Sequence, residues 1–198
     1  MHALIVVSHP SEHALTHRVA HALAEGITLE NARHSTEIAD LTREGFNPVF
    51  NEADYAAFMK TAPVPADVAK EQARVEGADA LVLVFPIYWW SMPGLLKGWI
   101  DRVFANGWAY EERADGGIVK KLGHLPVHLV GIGGANHATY EKHGYRQAYH
   151  AQIAHGIFDY CGAPVITNET LFLPDLSTPE AAIAQAKAIG ARVFQAQL

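Results

Sequence analysis

Three segments, ALIVVS at 3–8, ALVLVF at 80–85 and LPVHLVG at 125–131, are apolar runs of strand length without strand-like alternation. An unalternating run of this kind reads as a strand buried on both faces, and a sheet buried on both faces needs helices above and below it. The sequence supplies them. Leu15, Val19, Ala22 and Leu23 recur at helical spacing, as do Leu95, Leu96, Trp99, Ile100 and Val103 within 93–105. Weaker signals add an alternating strand at 35–40 and a last strand at 164–173, with helices at 65–77, at 147–160 and, rich in alanine, at 179–195. Five strands alternating with helices predict an α/β fold with a doubly wound parallel sheet, because each parallel connection needs a crossover. A length of 198 residues suits one domain, 1–198, and 49% hydrophobic residues suffice for its two core layers. The stretch 42–63 has no clear period and reads as a long surface excursion, functional or interface-forming.

A formal net charge of -6 argues against a nucleic-acid partner, which calls for a concentrated basic face. The first apolar run lacks a basic stretch before it and a cleavage site after it. It therefore reads as neither signal peptide nor membrane span, and a cytoplasmic address is expected. The single cysteine, Cys161, reads as a small buried side chain.

In a parallel α/β sheet, ligands bind beyond the carboxyl ends of the strands, which directs attention to the loops 8–16, 86–93 and 131–144. The first, running from His9 to Thr16, places hydroxyl and imidazole groups before a helix. That suits phosphate, and equally suits ordinary N-capping by Ser11 or Thr16. It contains no glycine, which argues against a nicotinamide-binding Rossmann turn. The second, Phe85-Pro86-Ile87-Tyr88-Trp89-Trp90-Ser91-Met92-Pro93, puts aromatic side chains at the end of a buried strand. There they either complete the core or cover a flat aromatic cofactor. The third opens with Gly131-Ile132-Gly133-Gly134, glycines that let a backbone approach a flat ligand.

The run FPIYWWSMPGLLKGWIDRVFANGWAY at 85–110 resembles the NAD(P)H quinone dehydrogenase (DT-diaphorase-like) family of flavodoxin-like flavoproteins. The resemblance extends to ALIVVSHP at 3–10, FNPVF at 46–50, VAKEQARVEGADALVLVFP at 68–86, GIGG at 131–134 and FDYCG at 158–162. It implies a flavodoxin-like three-layer α/β/α sandwich around a five-stranded parallel sheet. The implied activity is two-electron hydride transfer from NADH or NADPH, through FAD or alternatively FMN, to a quinone-like acceptor in ping-pong order. His9, Leu15 and Thr16 match the positions that hold the flavin phosphates, although the family usually has Ser, Phe and Asn where Ala14, Leu15 and Thr16 stand here. Pro86, Ile87, Tyr88, Trp89 and Trp90 match the loop along the flavin ring, and Gly131, Ile132, Gly133 and Gly134 replace Thr-Thr-Gly-Gly. Tyr140 matches the family's active-site tyrosine, which also borders the flavin. The partner histidine is replaced, either by Arg146, which cannot serve as an acid at neutral pH, or by the neighbouring His143, which can. Tyr110 matches a tyrosine of the acceptor pocket, and Glu112 stands where a second is common. The resemblance further implies a homodimer and no membrane insertion. Some relatives are instead ancillary subunits of potassium-efflux systems, which keeps a regulatory flavoprotein as the alternative.

Among twelve histidines, His13, His17 and His21 fall at i, i+4 and i+8 on one helical face. This spacing can bind zinc, but without a catalytic motif around it a solvated face is the plainer reading, and no metal is assigned.

Overall fold

The computed structural model describes residues 1–195. Its central sheet holds β1 (His2–Val7), β2 (Ser35–Asp40), β3 (Ala80–Pro86), β6 (Val127–Gly133) and β7 (Val165–Phe172), all parallel, in the order β2-β1-β3-β6-β7. β3 and β6 are buried along their whole length, as the unbroken apolar runs demand. Leu4, Val6, Leu81, Leu83, Phe85 and Leu129 point into one core layer, beneath α3 (Ala66–Glu76), α4 (Gly94–Val103) and a π-helical stretch, His150–Asp159. Ile5, Val7, Val82, Val84, Val130 and Ile132 point into the other, beneath α1 (Leu15–Glu30) and α7 (Pro179–Gly190). α1 and α7 touch backbone to backbone. A Cβ on Gly26 would lie 2.1 Å from the Lys187 carbonyl oxygen, and one on Gly190 would lie 2.2 Å from that of Leu23.

Four details differ from the sequence reading. The excursion at 42–63 contains α2 (Glu52–Phe58), closed by an Asn51–Asp54 capping box. A seven-residue helix is too short to show a period, so its cap is its only signal. A small antiparallel hairpin, β4 (Tyr110–Glu112) with β5 (Ile118–Lys120), lies outside the main sheet, in strands too short to read. The helix placed at 147–160 is α6 (Tyr145–Tyr149) running into the π-helical stretch, a difference in winding that apolar spacing does not reveal. The closing helix ends at Gly190 rather than continuing to 195.

Candidate functional site

β1 and β3 are neighbours, so the loops that follow them open side by side at the carboxyl edge of the sheet. After β1 the chain turns at His9, whose Nδ1 lies 3.0 Å from the Ser11 backbone nitrogen and 3.1 Å from the Ser11 carbonyl oxygen. α1 then begins with Ala14 as its N-cap, and no side chain caps it. N-capping by Ser11 or Thr16, the structural alternative for this loop, is thereby corrected. Leu15 is half-buried and Thr16 buried, so both contribute backbone N–H groups more readily than side chains. One turn along, buried His17 holds Asp40, at the end of β2, with Nε2 2.9 Å from Oδ2. The other Asp40 oxygen, Oδ1, accepts the backbone N–H groups of Thr42 and Arg43 at 3.1 and 3.2 Å. His17 Nδ1 is buried without a partner, and the His9 ring stands edge-on to His17 with centroids 6.3 Å apart.

Of the histidine series, His13, just ahead of α1, and His21 are exposed as on a solvated face, and His17 alone is buried. His13, His17 and His21 line one groove with Glu12, Asp40 and Arg43, but His17 is committed to Asp40. Among the described residues no cluster of histidine, cysteine and acidic side chains is arranged to hold a metal ion.

After β3 the chain forms a two-residue turn in which Tyr88 and Ser91 exchange backbone hydrogen bonds of 2.9 and 3.0 Å. Both central residues have positive φ, 48° at Trp89 and 63° at Trp90. Asn-Gly is the usual occupant of such a turn, and consecutive tryptophans there mark stored strain. Trp89 is 92% exposed, so core packing does not account for it. Trp90 is folded back, stacked on Tyr145 at 3.7 Å between centroids and edge-on to Tyr140 at 5.4 Å.

Tyr140 sits on α5 (His137–His143), started by Asn136, whose side-chain oxygen accepts the Thr139 N–H at 2.9 Å. Burial pushes its phenol above the usual range, which keeps the proton on the oxygen. Ile87, Trp89, Trp90, Gly134, Ala135 and Tyr140 together line a cavity of about 260 Å³. All but Ala135 were among the sequence candidates. Pro86 is buried at the end of β3, and Tyr88 is exposed on the turn.

The glycines of the third loop differ in what surrounds them. Gly131 and Gly133 lie inside β6, where a Cβ would meet Ile87 Cδ1 at 2.9 Å and Thr170 Cγ2 at 3.2 Å, respectively. They make room for the protein's own side chains, and only Gly134 faces open space. The Ile132 side chain is in the core beneath α1 and α7, and its carbonyl oxygen accepts the Ile87 N–H at 2.9 Å.

The remaining candidates lie outside this cavity. His143 is exposed at the end of α5, stacked on Tyr145 at 5.4 Å. Arg146 pairs with Glu141 at 3.2 Å and approaches His137 Nε2 at 3.3 Å, on the surface. Tyr110, on the β4–β5 hairpin, lies edge-on to Tyr160 at 5.2 Å and lines a separate apolar cavity with Phe58, Phe104 and Tyr160. Glu112, on the same hairpin, is exposed, and so one chain does not bring Tyr110 and Glu112 to the Trp89 pocket. Buried Cys161 has its thiol pushed up to about 11 by desolvation, in keeping with an inert side chain.

Sequence reasoning missed the His17–Asp40 pair and Tyr145. The first was hidden in the histidine series. The second had a faint signal in Gly144, whose φ of 70° separates α5 from α6.

The family model described as a flavodoxin-like fold matches residues 1–193. This chain belongs to that family. Among curated relatives, the human ribosyldihydronicotinamide dehydrogenase [quinone] is 32% identical over 148 residues, 71% of this chain and 63% of that protein. An uncharacterized NAD(P)H oxidoreductase of Haemophilus influenzae is 28% identical over 82% of this chain and 79% of that protein. The chain spans 55% of the length of the rat ribosyldihydronicotinamide dehydrogenase [quinone] it also matches. The solved NAD(P)H:quinone oxidoreductase of Methanothermobacter marburgensis superposes with a TM-score of 0.87 at 26% identity, covering 96% of this chain and 98% of that one. Among the described residues no helix is long and apolar enough to cross a membrane.

Proposed function

We propose that this chain is a flavin-dependent NAD(P)H:quinone oxidoreductase that carries two electrons from a reduced nicotinamide to a quinone-like acceptor in ping-pong order. The observation that carries the reading is the adjacency of two unlike half-sites: an uncapped helix start after β1 and an aromatic cavity after β3. The first suits phosphate and the second suits a flat ring, which is the chemistry of a flavin nucleotide. FAD is the proposed cofactor, with FMN the alternative.

The residues fit such a group. The N–H groups at Leu15 and Thr16 and the His9 imidazole would take the phosphate end. Ile87, Trp89, Trp90, Gly134 and Tyr140 would take the ring end, Tyr88 and Pro86 shaping the turn that presents them. A bound flavin supplies the centre that accepts and returns a hydride. The chain's own part is to exclude water with aromatic walls and to offer the Tyr140 O–H to negative charge that develops beside it. Its raised pKa ensures that this hydrogen is present. His143, exposed at the end of α5 and stacked on Tyr145, is the proposed proton donor for the acceptor, and Arg146 a surface charge nearby. In this proposal nicotinamide and acceptor use the same place beside the ring in turn, so the first leaves before the second enters.

We further propose a homodimer. Phe50, Tyr55, Met59 and Tyr160 are exposed apolar side chains on or beside the cavity that Tyr110 lines, and the segment 42–63 supplies three of them. Pairing this face with a second copy would bury them and let Tyr110 and Glu112 reach the partner's acceptor site.

The test is a visible spectrum with identification of the released flavin, followed by NADH and NADPH oxidation with and without benzoquinone. Stoichiometric flavin and quinone-dependent oxidation are expected. Flavin without oxidation of either nucleotide would move the assignment to the regulatory alternative, and a chain that cannot be loaded with flavin would end the proposal.

A further inference from the structure

Tyr145 is absent from the motifs that point to the site, yet it touches three of its members. Its ring is nearly parallel to Trp90, with 14° between planes and 3.7 Å between centroids. It is also stacked on His143, at 25° and 5.4 Å, and edge-on to Tyr140 at 6.0 Å. The chain brings it there by reversing at Gly144, whose left-handed backbone ends α5 and starts α6. A side chain at position 144 would be strained, so the reversal and the placement of Tyr145 are one feature.

Trp90 needs such support. Its own backbone has positive φ, an unfavourable state for a bulky residue that persists only where the surroundings over-determine it. The Tyr88–Ser91 hydrogen bonds close the turn but do not touch the indole, and Tyr145 covers one of its faces. From this arrangement we propose that Tyr145 is the positioning residue of the acceptor site, clamping Trp90 and His143 into one stacked wall beside Tyr140. The wall sets how a flat acceptor enters; because Trp90 is only one of the residues proposed at the ring end and the phosphate end is held elsewhere, Tyr145 governs acceptor KM more than flavin retention. The inference rests on the oxidoreductase reading above.

The experiment compares Tyr145→Ala and Tyr145→Phe with the wild type, in the flavin-loaded and flavin-free protein. Loss of the stack should raise benzoquinone KM about tenfold, the size that one or two aromatic stacks convert to, with flavin affinity changed less than about threefold. Tyr145→Phe keeps the ring and should restore the wild-type KM. Turnover-independent evidence comes from near-ultraviolet circular dichroism of the flavin-free protein, where the Trp90–Tyr145 pair should give a signal lost in Tyr145→Ala and kept in Tyr145→Phe. An unchanged KM in an active, folded Tyr145→Ala protein would overturn the positioning role while leaving the oxidoreductase reading intact. Loss of flavin together with activity would also overturn it, showing Tyr145 to be a structural part of the cofactor site. A wild type inactive towards both nucleotides would sink the oxidoreductase reading itself, and the positioning role with it.

Discussion

The loops after β1 and β3 leave neighbouring strands at the same edge of the sheet, yet they are built on opposite principles. The first is relaxed and polar. Its Ala14 cap leaves the helix start open, and a buried His17–Asp40 pair props it from below, with Asp40 also holding the Thr42 and Arg43 N–H groups. The second is strained and aromatic, with two tryptophans in a turn that would suit Asn-Gly better. A phosphate site needs only exposed amides, which a helix start provides without distortion. The proposed ring site needs large side chains around a cavity, and here a strained backbone holds Trp89 outward and Trp90 folded back onto Tyr145.

The largest expected effect would break the first half of this comparison. Asp40→Ala leaves His17 buried without its partner and releases two backbone donors, which should cost about 3–5 kcal/mol in urea unfolding. Asp40→Asn, which can still accept those N–H groups, should cost clearly less. Equal losses in the two variants would mean that the pair is not what props the loop.

A second test sharpens the contrast through another buried histidine. His17 faces a carboxylate, whereas His128 in β6 faces the Thr167 hydroxyl at 2.9 Å, and desolvation holds its pKa down to about 4. Unfolded histidine titrates near 6.5, so between these values the unfolded chain holds more protons. The stabilisation is complete above about pH 6.5 and is lost as pH falls towards 4, by roughly 3 kcal/mol. Denaturation at pH 7 and pH 4.5 should show this slope in the wild type and a smaller one in His128→Leu. Parallel slopes would remove His128 from the account.

The smallest stability effect, with the opposite sign, belongs to the second loop. Replacing Trp89 by Asn and Trp90 by Gly matches the turn and should stabilise the fold by about 1–2 kcal/mol, while quinone turnover falls at least about tenfold. A double variant that is no more stable than the wild type would show that the turn carries no net strain.

The same contrast explains what could be read from the sequence. The three inner strands were legible because burial on both sheet faces leaves unbroken apolar runs such as ALVLVF at 80–85, whereas the edge strands β2 and β7, only partly buried, gave weaker signals. Trp89 and Trp90 were legible because large aromatics at a strand end are conspicuous, and Tyr140 only through the family resemblance. His17 was not, since a helical series of histidines looks the same whether its middle member faces water or Asp40. Gly131 and Gly133 were legible as glycines but not in purpose, because the side chains they accommodate, Ile87 and Thr170, come from other parts of the chain. Tyr145 depends on one backbone reversal at Gly144, a conformation that leaves no periodic trace.

The close crossing of α1 and α7 bears on how quickly the proposed phosphate end would work. With Gly26 and Gly190 bringing the two backbones together, α1 has little room to tilt or slide, and its first N–H groups are aligned before any anion arrives. An arriving phosphate therefore has no helix to order, and capture there should be governed by diffusion and local charge, leaving the slower conformational adjustment to the tryptophan turn.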